Sequence, residues 1–331
     1  MKYFWRMNMH KLIFFISLLF VLITTTACSN KATAGCDFDK TDTLKVCTTL
    51  FPQYDFARQI GKDKVDVKLL VKPGVEPHDF DPKTRDIVNL NKADLFIYTN
   101  SIMEPWVTGS ILKTIENKDL IILNASQNIT LIDTAHDHSH EDHIDDHEEI
   151  ETGLDPHVWT SIDNAIIMIE TILAEFIEID PLNKDFYQSN AEDYIKKLKA
   201  LDQKFIELFS NEENRTFIHG GHAALGYFAH EYEVNFVTAF ETFSSNEELK
   251  IENIKNLIDM VKQYEKTIIY HEELIDNKTA KMLKDELQKD GITIQLKLLH
   301  GLHNISKQEL EDEVTYHDLM ELNYENLKAG L

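Results

Sequence analysis

The sequence has little positive charge and no apolar run long enough for a permanent membrane span. Its 331 residues include 33 Lys and Arg against 57 Asp and Glu, a formal net charge of −24. Such a surface repels nucleic acid and attracts cations, so we exclude a nucleic-acid partner. The apolar run at residues 12–23 is shorter than the roughly 20 residues that a transmembrane helix needs. We therefore expect this run to be removed rather than retained.

Motifs of hydrolytic enzymes are also missing. The chain contains no HExxH segment and no GxSxG segment. These are the local patterns that place a zinc-activated water or a nucleophilic serine. Three histidines around a metal with one open position would still allow a zinc hydrolase, which we keep as a minor alternative. The prediction is a protein that is not an enzyme.

The N-terminus has the layout of an export signal. Basic residues precede the apolar run, which leads to small residues and a cysteine in the segment Thr25-Thr26-Ala27-Cys28. This segment resembles a bacterial lipobox, in which the cysteine is lipidated and becomes the new N-terminus, although Thr25 stands where the pattern prefers Leu. We predict a lipid anchor on Cys28. The alternative is an ordinary secretory signal that is cleaved nearby.

Only two cysteines follow Cys28. Cys36 lies in a small, polar segment and Cys47 lies in a predicted strand. An exported location permits a disulfide between them. In the alternative interpretation Cys47 is a small buried hydrophobe and Cys36 is free or engaged elsewhere. Both interpretations stay open at this point.

Short apolar or β-branched runs alternate with segments of helical spacing. They form two sets of four, at 44–50, 65–71, 94–100 and 119–126 and then at 216–221, 234–240, 267–273 and 292–299. This alternation is typical of βα units, so we predict an α/β fold of two lobes with parallel four-stranded sheets. The predicted boundaries are a signal peptide at 1–27, a flexible tether at 28–41, an N-terminal lobe at 42–182, a linking helix at 183–210 and a C-terminal lobe at 211–331.

The linking helix has an apolar stripe from Tyr187 to Leu208 with i, i+4, i+7 spacing. At 1.5 Å per residue it spans about 42 Å, the length of a domain. Because the stripe can pack against both lobes, we expect a rigid connection rather than a wide hinge. The alternative is an ordinary core helix within one lobe.

Residues 136–151 differ from the rest of the chain. They hold five of the fifteen histidines and eight acidic residues, with no Lys or Arg. Since no core can form from this composition, we predict a solvated loop inserted in the N-terminal lobe. Two roles stay open, an accessory loop that binds further metal ions weakly and a plain spacer. The histidines concerned are His136, His138, His140, His143 and His147.

Four other histidines follow the carboxyl ends of predicted strands, where open α/β sheets place their ligands. They are His78, His157, His222 and His303. Four imidazoles suit a divalent transition metal, and an all-histidine set favours Zn²⁺. We predict one tight zinc site and interpret the remaining histidines of the two lobes as ordinary core or surface residues.

Each ligating imidazole needs an acceptor for its second ring nitrogen. Glu76 and Asp79 flank His78, and Asp155 is close to His157 in the sequence. Near the ends of strands in the C-terminal lobe are two further candidates for this role or for an alternative fourth ligand, Glu241 and Glu272.

Several motifs together resemble a known family. They are GVEPHDF (74–80), DPHVW (155–159), HAALGYFA (222–229), the helix at 190–205 and the ending at 315–331. Together they are similar to the zinc- and manganese-type solute-binding lipoproteins of bacterial ABC importers, the ZnuA/TroA-like family. The similarity extends from about Leu44 to the C-terminus. It implies two lobes joined by a rigid helix, with the metal bound between them.

The resemblance also implies a ligand set. His78, His157 and His222 match the first three ligands of the family, and the acidic loop stands where zinc-type members often have one. The fourth ligand is usually Asp, Glu or water, but the matching turn LHGLHNIS (299–306) supplies His303. Slipping the alignment by three residues would supply His300 instead.

The implied function is an extracytoplasmic, high-affinity zinc receptor. It is expected to be a monomer, anchored through Cys28 to the outer face of the bacterial cytoplasmic membrane, that delivers zinc to the membrane permease of an ABC importer. The alternatives are a manganese-type receptor of the same family and a surface lipoprotein that buffers metal or acts as an adhesin.

Overall fold

Eight short strands form two parallel sheets in the computed structural model, which describes residues 35–38, 43–78, 80–133, 153–240, 250–273 and 277–331. The first sheet has the order β2-β1-β3-β4 and the second has the order β6-β5-β7-β8. The strands are β1 Leu44–Thr48, β2 Val65–Leu69, β3 Leu95–Tyr98, β4 Ile121–Asn124, β5 Thr216–His219, β6 Asn235–Thr238, β7 Ile268–His271 and β8 Gln295–Leu298. The prediction of an α/β fold with two parallel four-stranded sheets is confirmed.

Helices cover the sheets and join them. The α-helices are α1 Phe51–Gly61, α2 Thr84–Leu90, α3 Leu112–Thr114, α4 Ile162–Ile179, α5 Lys184–Ser210, α6 Gly226–Tyr232, α7 Ile251–Gln263, α8 Lys278–Lys289, α9 Lys307–Glu311 and α10 Tyr316–Lys328. A π-helical turn at Val107–Ile111 leads into α3. Within the described ranges, no helix has both the length and the apolarity that a bilayer crossing requires.

One hydrophobic core is shared by both lobes. It contains residues of the first sheet, such as Val46, residues of the second, such as Phe217, and the buried stripe of α5. The outer face of each sheet packs on a separate, smaller core. The buried stripe runs from Tyr187 to Phe209, whereas the predicted last member, Leu208, is only half-buried. Because interiors are close-packed, a core that continues through α5 resists separation of the lobes.

The buried carboxylate of Asp55 links helices α1, α5 and α10. Asp55 of α1 is fully buried, and its Oδ2 accepts hydrogen bonds from the Tyr194 hydroxyl of α5 at 2.6 Å and from the Tyr316 N–H of α10 at 2.9 Å. Its Oδ1 accepts from Arg58 at 2.8 Å. Since α10 follows the second sheet in the chain, this contact returns the C-terminus to the N-terminal lobe.

A second buried carboxylate, that of Glu104, orders the ends of β1 and β3. Glu104 accepts hydrogen bonds from the Thr99 and Asn100 N–H groups and from the hydroxyl of Thr49, which follows β1. Burial raises the pKa of Glu104 to about 7, although these donors oppose the rise. The Asn100 side chain donates to the Pro156 carbonyl at 3.4 Å. The network therefore connects the ends of β1 and β3 to the segment that carries His157.

Cys36 and Cys47 form a disulfide whose Cα atoms are 5.6 Å apart, and both residues are buried. Of the two interpretations of these cysteines, the structure therefore confirms the disulfide. The Gly35 N–H also donates to the Leu69 carbonyl of β2 at 2.8 Å. The disulfide attaches the segment that precedes the first lobe to the middle of its sheet.

Several predicted features lie outside the described residues. These are the signal peptide, the anchor at Cys28, most of the tether, Asp79, Glu241, and the acidic loop with His136, His138, His140, His143 and His147.

Candidate metal centre

Three histidines from different loops meet at one point. Each of His78, His157 and His222 offers a ring nitrogen, and these nitrogens lie within 4.8 Å of one another. The Nε2 atoms of His78 and His157 are 3.3 Å apart. Two nitrogens bound to one tetrahedral zinc at about 2.0–2.1 Å also lie about 3.3 Å apart. The spacing of this pair therefore suits a shared zinc ion.

His78 lies in the loop that follows β2, and contacts on both sides hold this loop. The Trp106 indole N–H donates to the Pro77 carbonyl at 3.0 Å. On the other side of the cleft, the Asn304 side chain donates to the Val75 carbonyl, and the Gly74 N–H donates to the Ile305 carbonyl at 3.2 Å. The loop carrying His78 is thus bonded to the loop carrying His303.

His157 is oriented by Asp155. Its backbone N–H and its Nδ1 both lie 2.9 Å from Asp155 Oδ1. Since a carboxylate accepts, Nδ1 carries the proton and the Nε2 lone pair faces His78. Burial raises the pKa of Asp155 to about 7 and lowers the pKa of His157 well below its ordinary value. The imidazole is therefore held neutral, which is the form that binds metal.

His222 is paired with Glu272 in the same way. Its Nδ1 lies 2.7 Å from Glu272 Oε1, which also accepts from the His222 backbone N–H. Burial alone would raise the pKa of Glu272, but the attraction of His222 outweighs it and lowers that pKa to about 2. The Nε2 of His222 is buried and has no hydrogen-bond partner in the described part of the chain. A metal ion at the cluster would supply that partner.

His303 borders the group of three. It is 5 % exposed, and its ring centroid lies 5.9 Å from that of His222 and 6.4 Å from that of His157. Within the group of three, the ring centroids are 5.3 Å apart for His78 and His157, 5.4 Å for His157 and His222, and 6.3 Å for His78 and His222. Imidazoles around one tetrahedral zinc have centroids about 5 Å apart. Among the described residues, the group whose ring nitrogens lie within 4.8 Å of one another contains His78, His157 and His222 but not His303.

His300 has different surroundings. Its Nδ1 accepts a hydrogen bond from the Leu302 N–H at 2.9 Å, and its Nε2 lies 3.9 Å from Glu309. The first contact holds the ring against the turn, whereas the buried Nε2 has no hydrogen-bond partner in the described part of the chain. Of the two histidines in this turn, His303 is the one whose ring packs against His157 and His222.

The predicted carboxylates divide into two groups. Asp155 and Glu272 contact ring nitrogens, whereas Glu76 accepts from the His78 backbone N–H at 3.2 Å. Sequence reasoning missed Glu273, which is buried against His300 and His303. The only available indication was its place directly after Glu272, at the carboxyl end of β7.

Two glycines leave room for the orienting carboxylates. A Cβ on Gly221 would overlap Glu272 Oε1, and a Cβ on Gly226 would overlap Asp155 Oδ2. Backbone and carboxylate approach this closely only because neither glycine has a side chain.

Gly221→Ala is therefore expected to displace Glu272 from His222 and to weaken zinc binding by about 10–100-fold, the usual cost of losing a partner of a metal ligand. Competition with a chromophoric chelator measures the change. Gly109→Ala is the matched control, because nothing lies within 4 Å of a Cβ at that position. Equal zinc affinity of the two variants would contradict the role assigned to Gly221.

Comparison with known proteins identifies the family. Residues 46–330 match the family model described as zinc-uptake complex component A, periplasmic (ZnuA). The chain is 35% identical over 319 residues to the high-affinity zinc uptake system protein ZnuA of Bacillus subtilis (strain 168), covering 96% of this chain and 97% of that protein. It spans about half the length of the AdcA relatives, for example 55% of the zinc-binding protein AdcA of Streptococcus pyogenes, with 33% identity.

Solved structures agree with this assignment. The zinc-bound ZnuA-like domain of Streptococcus pneumoniae AdcA superposes with a TM-score of 0.71 at 28% identity, covering 87% of this chain and 98% of that chain. The metal-dependent lipoprotein YcdH of Bacillus subtilis gives a TM-score of 0.71 at 34% identity, with 86% and 98% covered. The resemblance inferred from the motifs is confirmed, and the chain belongs to the ZnuA family of zinc-uptake components.

Proposed function

We propose that this protein is an extracytoplasmic receptor that binds one zinc ion in the cleft between its lobes and delivers it to an ABC importer. His78, His157 and His222 are its first three ligands, and His303 is the fourth. The observation that carries the proposal is the convergence of the first three ring nitrogens within 4.8 Å of one another.

The donor set favours zinc over manganese and magnesium. Imidazole is a borderline-soft nitrogen donor, whereas manganese and magnesium prefer oxygen. In the described part of the chain, the carboxylates Asp155 and Glu272 lie behind His157 and His222 and bond their Nδ1 atoms. Their negative charge therefore orients the imidazoles and offsets the positive charge of the ion without coordinating it directly.

The scaffold is built to hold the ligands before the metal arrives. Because the lobes share one core through α5, the four loops start from a fixed frame. Preorganised ligands lose little conformational entropy when the ion binds, and this favours high affinity. The net charge of −24 raises the local concentration of cations near the cleft.

The lipid anchor and the acidic loop serve the capture and delivery of the ion. Cys28 carries the lipid that keeps the receptor at the outer face of the membrane, next to the permease that accepts the ion. The acidic loop at 136–151 binds further ions weakly and raises their concentration near the cleft. A related structure from Bacillus subtilis is described as a lipoprotein, which supports the anchor.

Two of the competing functions, hydrolysis and manganese uptake, have no supporting observation among the described residues. A hydrolase needs an open position for an activated water. With His303 as the fourth ligand, the site is closed. A manganese receptor would have oxygen donors in place of at least one of the imidazoles.

Elemental analysis tests the proposal. The chain lacking residues 136–151 is expected to retain one zinc per molecule after gel filtration, because the tight site lies in the cleft. The matched control carries the same deletion with His78, His157 and His222 all replaced by alanine, and it should retain none. A deletion variant without stoichiometric zinc would refute the assignment of the cleft.

A further inference from the structure

A buried carboxylate, that of Glu273, lies beside the fourth histidine. Its Oε2 accepts a hydrogen bond from the Gly301 N–H at 2.7 Å. Its Oε1 faces the Nδ1 atoms of His300 and His303, each at 3.5 Å. In the described part of the chain, neither Glu273 Oε1 nor His303 Nδ1 has a hydrogen-bond partner. Buried polar groups are normally paired, so these two orphan atoms require a common explanation.

His300 does not provide the missing proton. Its Nδ1 accepts from the Leu302 N–H at 2.9 Å, so that nitrogen carries a lone pair. Of the two ring nitrogens that face Glu273 Oε1 in the described part of the chain, Nδ1 of His303 is the one left to donate. Shortening their separation from 3.5 Å to about 2.9 Å would complete a charge-assisted hydrogen bond.

The same arrangement exists at two other positions of the cluster. Asp155 binds Nδ1 of His157 at 2.9 Å, and Glu272 binds Nδ1 of His222 at 2.7 Å. In each pair the carboxylate accepts from Nδ1, so that Nε2 is the ring nitrogen available to a metal. Glu273 and His303 have the components of a third pair.

The loop that carries His303 is held firmly enough to make such a pair specific. Asn323 bonds both the N–H and the carbonyl of His300, at 2.7 and 2.9 Å. The Trp159 indole donates to the Gly301 carbonyl at 2.9 Å. Leu302 has a left-handed backbone with φ of 66°, which turns the chain so that His303 faces the cluster.

We propose that Glu273 is a positioning residue that holds the His303 imidazole with its proton on Nδ1 and its Nε2 towards the zinc ion. The inference rests on the proposed function, because it requires zinc in the cleft. Its consequence is a fourth coordination position occupied by a nitrogen with its own carboxylate partner, and such a position discriminates against manganese.

Glu273→Gln tests the proposal, because it keeps the shape and an acceptor for Gly301 but removes the charge. We expect zinc affinity, measured by chelator competition, to fall by about 10–100-fold. In a His303→Ala background the same substitution should change affinity by less than about twofold, since the two residues act as a unit. His300→Asn is the matched control. Its Oδ1 replaces the Nδ1 acceptor, and affinity should stay close to that of the unaltered chain.

Two spectroscopic readouts separate positioning from a merely structural role. With cobalt in place of zinc, Glu273→Gln and His303→Ala should change the visible absorption bands in the same direction, while His300→Asn should leave them unchanged. In the zinc-bound unaltered chain, long-range ¹H–¹⁵N correlation should show His303 protonated at Nδ1. This measurement needs no variant, so it decides the question even if Glu273→Gln does not fold.

The outcomes distinguish the two proposals. An unaltered chain without stoichiometric zinc refutes the function itself. If the unaltered chain binds stoichiometric zinc, three results would refute the role of Glu273 alone. They are an unchanged zinc affinity of Glu273→Gln, an equal loss of affinity in the His303→Ala background, and a proton on Nε2 of His303.

Discussion

His157→Ala is expected to reduce zinc affinity by more than the roughly 10–100-fold that follows the loss of an outer partner of a metal ligand. His157 is fully buried, and its ring faces those of His78, His222 and His303. The substitution removes one donor nitrogen. It also leaves Asp155 buried without its imidazole partner.

Chelator competition and thermal unfolding with and without zinc measure this effect. A ligand that binds only the native state stabilises it by about 4 kcal/mol at a concentration of 1,000 times its Kd. The unaltered chain should therefore melt at a clearly higher temperature with zinc, and His157→Ala should lose most of that increase. His230→Ala, an exposed histidine of the same protein, is the control and should keep it. A His157 variant that still binds within a few-fold of the unaltered chain would exclude this residue as a ligand.

The sequence predicted the fold well because its signals are local. Each of the eight strands is a short β-branched or apolar run, and all eight were found where the pattern placed them. The strand-end rule also selected His78, His157 and His222, which the structure brings together. These inferences needed only the alternation of elements and the common edge of parallel strands.

Other features of the site depend on contacts between distant segments. The pairing of His222 with Glu272 joins residues 50 positions apart, and the orphan atoms of Glu273 and His303 depend on how a turn after β8 packs on the end of β7. Adjacent glutamates in a sequence do not reveal which one faces the metal ligand. The space left by Gly221 is likewise visible only when the strands are assembled.

The apolar stripe of α5 predicts a rigid connection between the two lobes, but it does not predict the polar contacts that this helix makes. The stripe indicates only that the helix packs on something apolar. Tyr194 turns its hydroxyl to a carboxylate on α1, which also accepts the first N–H of α10. A fully buried aspartate at position 55 gives no periodic signal, because burial of a charge depends on partners that lie 139 and 261 residues away.

Asp55→Ala is expected to cause the largest loss of stability of any single substitution considered, about 3–5 kcal/mol in the free energy of unfolding. The variant leaves the Arg58 guanidinium, the Tyr194 hydroxyl and the Tyr316 N–H without their shared acceptor at the junction of both lobes. Urea unfolding of the metal-free protein measures it without the contribution of bound zinc. Asp63→Ala, an exposed aspartate in the turn after α1, should change stability by less than about 0.5 kcal/mol. If Asp55→Ala cost no more than this control, the lobes would be held together by their apolar core alone, and the buried carboxylate would have no part in keeping the four histidine loops in one frame.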